Sequence, residues 1–213
     1  MGRATWRVGS CAIHTIDSAP TEARDTLETA RRRFGFLPNL LRELAGAPAA
    51  LKGYVTLSGL LTESSLQPIE QQVVLLAASL ENGCSYCVAA HSAGSKASGA
   101  GDDLIQAVRN GGPLADQRLE ALRALTSAIV TTRGLVSESD IQRFLTAGFA
   151  KEQVFDVLLG VAMKTISNYA NHICRDAPGS TAAAVRVEPN AQVVVERLDH
   201  ESLSSNTGRF III

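Results

Sequence analysis

The apolar run from Val73 to Leu80 constrains the fold of this chain more than any other feature of its sequence. A helix on a protein surface shows a polar face, whereas this run is apolar nearly all round, so it predicts a helix inside a bundle. The helix leads in from Pro68, a residue suited to a first helical turn. It stops at Asn82-Gly83, because glycine just past a helix end is the commonest stop signal.

A second helix is predicted directly after this stop, and it carries the reactive side chains. Cys84, Cys87 and His91 are spaced three and four residues apart, which places them on one face of a helix. A free thiol has a pKa of ~8.5, and thiols at helix N-termini, in Cys-X-X-Cys pairs or beside histidine fall to roughly 3.5–7.5. His91 is expected either to take the proton of Cys87 as a general base or to stay protonated and stabilise the thiolate.

The other periodic segments of the chain are helical as well, and glycine or proline marks their ends. The predicted helices cover residues 20–34, 39–45, 48–62, 68–81, 84–98, 102–110, 115–133, 138–147 and 151–174. The apolar stripe predicted for the last helix consists of Val154, Leu158, Val161, Ala162, Thr165 and Ile166. Because every segment with a clear period is helical, the predicted fold is an all-α bundle.

Composition divides the chain into three parts. Residues 1–19 form an irregular N-terminal lead-in, and residues 20–178 form the helical domain. After Pro178-Gly179 the sequence alternates valine with charged residues, so residues 179–213 are expected to form a marginal hairpin or a disordered C-terminal extension.

Charge and cysteine content exclude several classes of protein. With 213 residues, 46% of them hydrophobic, 19% charged and a net charge of −1, the chain is globular and offers no basic face for nucleic acid. No segment approaches the ~20 apolar residues that span a bilayer, and the N-terminal residues lack the apolar core of a secretory signal. Four cysteines do not make a disulfide scaffold in a chain of this length. We therefore expect a cytoplasmic protein in which Cys11 and Cys174 are bystanders.

Several motifs in this sequence resemble those of a known family. Their residues are Asn82-Gly83-Cys84-Ser85-Tyr86-Cys87-Val88-Ala89-Ala90-His91, the preceding Val73-Val74-Leu75-Leu76-Ala77-Ala78-Ser79, the later Ile166-Ser167-Asn168-Tyr169-Ala170-Asn171-His172, and Phe34-Gly35-Phe36-Leu37-Pro38-Asn39-Leu40. Over about residues 20 to 178 the chain resembles the AhpD-like alkylhydroperoxidase branch of the carboxymuconolactone decarboxylase family. The resemblance implies an AhpD-like helical bundle that assembles into homo-oligomers, either trimers or hexamers.

The resemblance also implies an activity, the reduction of hydroperoxides by the cysteine pair. It implies that Cys87 attacks the O–O bond to give a sulfenic acid and that Cys84 condenses with it to a disulfide. His91 matches the histidine of the family's proton relay. A lipoyl group or a thioredoxin-like protein would restore the dithiol, and no metal or other cofactor is implied.

Two positions depart from the family pattern. Gln72 stands where the relay glutamate is found, and Tyr86 stands where the best-known members have a histidine between the cysteines. Glutamine cannot accept a proton at neutral pH, so the relay is expected to be shortened or rerouted. Glu70 and Glu81 are the candidate substitutes, with helix-surface charges as the alternative.

Other interpretations of the cysteine pair stay open at the level of sequence. Cys84 and Cys87 are alternatively two buried small residues, or zinc ligands together with His91 and either Cys174 or His172. A lactone decarboxylase of the same family is a further alternative, although that branch does not depend on a cysteine pair. The third class is a non-catalytic, redox-sensing helical oligomer.

Overall fold

The computed structural model describes residues 11–174 of the 213. Within this part of the chain the helices are α1 (Thr21–Phe34), α2 (Asn39–Leu44), α3 (Pro48–Glu63), α4 (Pro68–Glu81), α5 (Ser85–Ala97), α6 (Asp102–Arg109), α7 (Gln117–Thr132), α8 (Glu138–Thr146) and α9 (Gln153–Ile173). Each begins and ends within two residues of its predicted bounds. Because the described residues contain no strand, the predicted all-α fold is confirmed.

Helix α4 lies at the centre of the bundle, with every residue from 70 to 79 buried. Apolar residues on one side of it pack with α6, α7, α8 and the first half of α9. On the other side, Leu75 packs with α1, α2, α3 and with Met163 of α9. Each large apolar side chain buried in this way stabilises the fold by about 1.5–3 kcal/mol before chain entropy is subtracted. The interior position predicted for this helix is therefore confirmed.

Helices α4 and α9 approach each other closely at Gly160. A Cβ atom at this position would lie 2.7 Å from Cγ1 of Val74, which is closer than side chains pack. Glycine therefore allows the two helices to meet here. One turn further along α9, the same close approach carries Lys164 into the interior of the bundle.

The buried face of α9 differs from the predicted stripe. Leu158 and Ala162, both predicted to face the core, are exposed. The prediction failed because three residues on the true buried face are polar, so a pattern built on apolar residues selected another side of the helix. The buried residues are Val157, Gly160, Val161, Met163, Lys164, Ser167 and Asn168.

Cys11 and Cys174 form a disulfide across 163 residues of sequence, with their Cα atoms 5.0 Å apart. It joins the segment that precedes α1 to the end of α9. The prediction that both cysteines are bystanders is wrong, because sequence spacing gives no sign that the two ends of the domain meet. The bond also removes Cys174 from the zinc site considered above.

Residues 1–10 and 175–213 lie outside the described part of the chain, so the predicted hairpin or disordered tail falls there too. Among the helices of residues 11–174, none is both long and apolar enough to cross a membrane.

Candidate active site

The turn between α4 and α5 fixes the position of Cys84. Gly83 has a φ of 68°, the left-handed conformation that glycine adopts without strain. The backbone N–H of Gly83 donates to the carbonyl of Leu80, and that of Cys84 donates to the carbonyl of Ser79. These two bonds form a Schellman motif, which ends α4. Cys84 is at the same time the residue that precedes the first turn of α5, as its position after Asn82-Gly83 predicts.

Cys87 lies in the first turn of α5, where unpaired backbone N–H groups and the helix dipole favour a negative charge. Both cysteines are free thiols and both are buried. The side-chain nitrogen Nδ2 of Asn171 lies 3.1 Å from Sγ of Cys87 and 3.8 Å from Sγ of Cys84. One amide group of α9 therefore touches both sulfur atoms, which places them in one pocket.

The two thiols differ strongly in acidity. The hydrogen bond that Cys84 donates, followed by the positive charge of Lys164 and hydrogen bonds from Asn168 and Asn171, lowers the pKa of Cys87 to about 5 against the opposing effect of burial. The same hydrogen bond to Cys87, with burial, raises the pKa of Cys84 far above its ordinary value. At neutral pH the pair therefore holds one thiolate, on Cys87, and one thiol, on Cys84.

His91 lies one turn after Cys87 and is fully buried, with both ring nitrogens engaged. Its Nε2 atom is 2.8 Å from Nζ of Lys164, and its Nδ1 atom is 3.3 Å from Oε1 of Gln72. Burial and the charge of Lys164 lower the pKa of His91 well below its ordinary value, so the imidazole is neutral. A neutral ring that faces the amide oxygen of Gln72 carries its proton on Nδ1 and accepts from Lys164 at Nε2.

The contacts of His91 fit neither of its two expected roles directly. Because its lone pair accepts from Lys164 and its N–H group donates to Gln72, neither nitrogen is directed to a sulfur. A protonated imidazole is disfavoured by burial and by the neighbouring ammonium group. The residue that supplies positive charge to the Cys87 thiolate is Lys164.

Gly94 makes room for Gln72 beside the imidazole. A Cβ atom at Gly94 would lie 2.7 Å from Oε1 of Gln72, so a larger residue on this turn of α5 would displace the amide from His91. The position of the missing relay glutamate is thus occupied by a side chain that bonds the histidine but carries no charge.

The other candidate relay residues lie elsewhere or differ in chemistry. Glu70 accepts from the backbone N–H of Gln67 and from Nε of Arg118, at 2.8 Å in each case, so both of its oxygens are engaged at the start of α4. Glu81 is exposed, and its charge acts on Arg123. Tyr86 is half-buried beside the pair, where burial and the charge of Cys87 raise its pKa.

Three residues of the site, Lys164, Asn168 and Asn171, were missed by sequence reasoning although two of them lie within a motif quoted above. All three are on α9, more than 70 residues after the cysteines. Asn168 is held by a 2.9 Å bond from Nδ2 of Asn82 to its side-chain oxygen. The spacing of Lys164, Asn168 and Asn171, four and three residues apart, marks one polar face on an otherwise apolar helix, and this is the signal that could have revealed them.

Residues 48–128, which contain α4 and the cysteine pair, match the model of the carboxymuconolactone decarboxylase family. Over this segment the chain is similar to that family. The recognition made from the sequence motifs is therefore confirmed. Among curated proteins, none matches the chain.

Solved structures share the same fold. An AhpD-core, peroxidase-related protein from Ralstonia eutropha JMP134 is 20% identical with a TM-score of 0.66, and the match covers 78% of this chain and 90% of that chain. A peroxidase-related protein from Silicibacter sp. TM1040 is 19% identical with a TM-score of 0.64, and the match covers 84% of this chain and 96% of that chain. The debrominase Bmp8 in complex with 2,3,4-tribromopyrrole is 13% identical with a TM-score of 0.63, and the match covers 76% of this chain and 87% of that chain. These likenesses show that this chain has an AhpD-like fold.

Proposed function

We propose that this protein is a thiol-dependent peroxidase of the AhpD-like type, which reduces hydroperoxides through a dithiol–disulfide cycle of Cys84 and Cys87. The observation that carries the proposal is that two buried free thiols share one pocket, in which the pKa of Cys87 is lowered and that of Cys84 is raised. A peroxidatic cycle needs a thiolate that attacks the peroxide and a protonated thiol that reacts in the second step. The environment of this pair supplies both at neutral pH.

The steps follow from the charge states. The thiolate of Cys87 attacks the terminal oxygen of a hydroperoxide, so an S–O bond forms, the O–O bond breaks and an alkoxide leaves. Cys84 then attacks the sulfenic acid of Cys87, forming the disulfide and releasing water. An external dithiol, either a lipoyl group or a thioredoxin-like protein, exchanges with this disulfide and restores the pair.

The experiment that tests the cycle uses the pre-reduced protein and tert-butyl hydroperoxide. We expect the parent to consume peroxide and to lose its two free thiols. Cys87→Ser should abolish consumption, whereas Cys84→Ser should accumulate a sulfenic acid that a dimedone probe labels. Peroxide turnover by Cys87→Ser at the parent rate would refute the assignment.

The same experiment separates the alternative functions. A decarboxylase that does not use the cysteine pair would keep its activity on a lactone substrate in Cys84→Ser and Cys87→Ser. A redox-sensing module would form the disulfide once, without turnover in the presence of excess dithiol. We favour the peroxidase because a thiolate with a lowered pKa serves no purpose in the first alternative.

The cytoplasmic location is part of the same proposal, and the Cys11–Cys174 disulfide is the feature that opposes it. Such bonds are rare in reducing compartments and common in oxidising ones. Acid trapping of cells followed by alkylation and mass spectrometry would show whether Cys11 and Cys174 are bonded in place. Two free thiols at these positions would support the cytoplasmic location.

Self-association is proposed from one face of α9. Phe155, Leu158, Tyr169 and Ile173 fall on one side of this helix and are each at least 46% exposed. Large apolar residues grouped in this way favour an interface between copies of the chain. Light scattering should report a trimer or hexamer that Phe155→Ser dissociates; a parent that runs as a monomer would contradict this.

A further inference from the structure

Lys164 is a buried amino group that the cycle described above does not yet use. It is 1% exposed and hydrogen-bonded to the neutral imidazole of His91. A buried charge is costly unless an opposite charge compensates it. Within residues 11–174 no carboxylate forms an ion pair with Lys164, and the negative group that acts on it most strongly is Cys87.

The charges of Lys164 and Cys87 therefore depend on each other. Burial lowers the pKa of Lys164, and the sulfur of Cys87 followed by that of Cys84 raises it again. When Cys87 is a thiolate, the ammonium form of Lys164 is balanced. When oxidation removes that negative charge, the buried ammonium group loses its partner and is driven to release a proton.

Attack of Cys87 on a hydroperoxide requires a proton at that moment. The departing alkoxide is a strong base, and its release into a buried pocket is slow unless an acid protonates it. His91 cannot provide this proton, because its single N–H group points to Gln72. Cys84 holds its proton in the hydrogen bond to Cys87 and needs to keep it until the second step.

We propose, on the basis of the peroxidase function above, that Lys164 is the general acid of the cycle and protonates the alkoxide that leaves when Cys87 attacks a hydroperoxide. His91 is a positioning residue, which holds Nζ of Lys164 by accepting its hydrogen bond. Lys164 thereby supplies in this chain the charged, proton-transferring side chain that is absent at Gln72.

With this assignment the protons balance over the full cycle. In the first step Cys87 gains the hydroxyl group as a sulfenic acid, the alkoxide takes a proton from Lys164, and the lysine becomes a neutral amine. That amine then removes the proton of Cys84, whose sulfur attacks Cys87 as hydroxide leaves. The hydroxide takes the proton from Lys164 and departs as water. An external dithiol supplies two protons and two electrons, which restore the Cys84 thiol, the Cys87 thiolate and the Lys164 ammonium group.

The test uses the Cys84→Ser protein, in which sulfenic acid formation is a single event that needs no reductant. Two oxidants are compared. tert-Butyl hydroperoxide releases a strongly basic alkoxide, whereas peracetic acid releases acetate, which leaves without a proton. Lys164→Met removes the charge and the proton, and Lys164→Arg keeps the charge but holds its protons too tightly to donate them. Lys151→Met, at an exposed position before α9, is the matched control.

For each variant the thiol pKa is first measured by alkylation, and rates are compared at a pH where Cys87 is fully ionised. We expect both Lys164 variants to react with tert-butyl hydroperoxide about 10²–10³-fold more slowly. With peracetic acid the loss should be less than about tenfold, and Lys151→Met should match the parent with both oxidants. Lys164→Arg should retain the part of the thiol pKa lowering that comes from the charge of Lys164, and Lys164→Met should lose that part.

Equal slowing with the two oxidants would overturn the proposal, since Lys164 would then act only by stabilising the thiolate. So would a parent rate for Lys164→Arg with the alkyl hydroperoxide. If circular dichroism shows that either Lys164→Met or Lys164→Arg has not folded, the comparison of the two oxidants in the folded variant decides. Lys164→Gln is then added as a smaller neutral replacement. A Cys84→Ser protein that forms no sulfenic acid with either oxidant would refute the peroxidase function itself, which is a different result from a reactive protein that is indifferent to Lys164.

Discussion

Nζ of Lys164 lies 2.8 Å from Nε2 of His91, and this contact joins two buried side chains of α5 and α9 that are 73 residues apart in the sequence. Two adjacent groups of this kind cannot both be cationic in the interior of a protein. Burial lowers the pKa of Lys164 and the thiolate of Cys87 opposes this effect, whereas burial and Lys164 both lower the pKa of His91, so the neutral form falls on His91. The positive charge that one of the two expected roles placed on His91 is thus assigned to Lys164.

The reactivity of Cys87 should titrate far below that of an ordinary thiol. Its pKa of about 5, against 9.0 for the unperturbed group, means that the thiolate is present above this pH and is lost as the pH falls through it. Alkylation of the reduced protein by iodoacetamide should therefore fall about tenfold between pH 6 and pH 4. Cys87→Ser, which retains only Cys84 of this pair, should react slowly across this range. A midpoint above pH 8 would contradict the lowered pKa.

The same shift predicts how the stability of the reduced protein depends on pH. A thiol whose pKa is lower in the folded state contributes its full stability at pH values above its ordinary pKa of 9.0. This contribution is lost as the pH falls towards the folded-state pKa of about 5. Burial of neutral His91 also lowers the stability of the folded protein as the pH falls below 6.5, the ordinary pKa of histidine. Urea unfolding of the reduced protein should show a free energy that decreases from pH 8 to pH 5, more steeply than in Cys87→Ser. Equal slopes in the two proteins would contradict the prediction.

Gln72→Glu should restore a carboxylate beside the imidazole. The new side chain has the same size, so it fits the space left by Gly94, and its charge faces Nδ1 of His91. The pKa of His91 should rise by about 1–3 units, measured by NMR titration, and the rate of peroxide reduction should increase. Gln72→Met, which offers no acceptor, should not raise the pKa. An unchanged rate in Gln72→Glu would show that proton transfer does not involve position 72.

Glu70→Gln should lower stability without slowing sulfenic acid formation. Its carboxylate accepts from Arg118 at the start of α4, and Arg118 in turn lies 3.7 Å from the ring centre of Phe149. Because the guanidinium group is partly exposed, the loss should be about 1–3 kcal/mol, below that of a fully buried pair. Urea unfolding and dimedone trapping measure the two effects. A slower reaction at unchanged stability would instead make Glu70 a relay carboxylate.

Cys174→Ser should destabilise the oxidised protein, because the disulfide with Cys11 closes a loop of 163 residues. Loss of such a cross-link costs about 2–5 kcal/mol, chiefly through the entropy of the unfolded chain. Cys11→Ser and the double variant should lose the same amount as the single change, measured by guanidinium unfolding without reductant. A double variant much less stable than either single variant would show that the two residues act separately.

Gly160→Ala should disturb the contact between α4 and α9. The added methyl group would overlap Val74, which costs about 1–3 kcal/mol, and Val74→Ala should recover part of this loss in the double variant. Gly53→Ala is the control, since position 53 is an exposed position of α3 where a Cβ would meet nothing within 4 Å, and it should stabilise by about 0.5–1 kcal/mol. Equal effects at Gly160 and Gly53 in thermal unfolding would contradict this account.

Local signals predicted much of the fold. Pro68 at one end of the central helix and Asn82-Gly83 at the other gave its bounds to within a residue, since proline and glycine act on backbone angles that do not depend on distant contacts. The placement of Cys84 at the start of α5 followed from the same turn. On α9 the same method chose the wrong face, because Lys164, Ser167 and Asn168 on its buried face are polar.

The sequence by itself determined the helices, their order, and the grouping of Cys84, Cys87 and His91 on one face of α5, because spacing along a helix is a local property of the chain. Only the tertiary structure decided what surrounds that face. Lys164 and Asn171 reach the site from α9, and Cys11 meets Cys174, through packing between segments far apart in the chain. Electrostatic effects depend on distances in space, so the charge state of each group in this pocket was fixed by the fold and not by the motif.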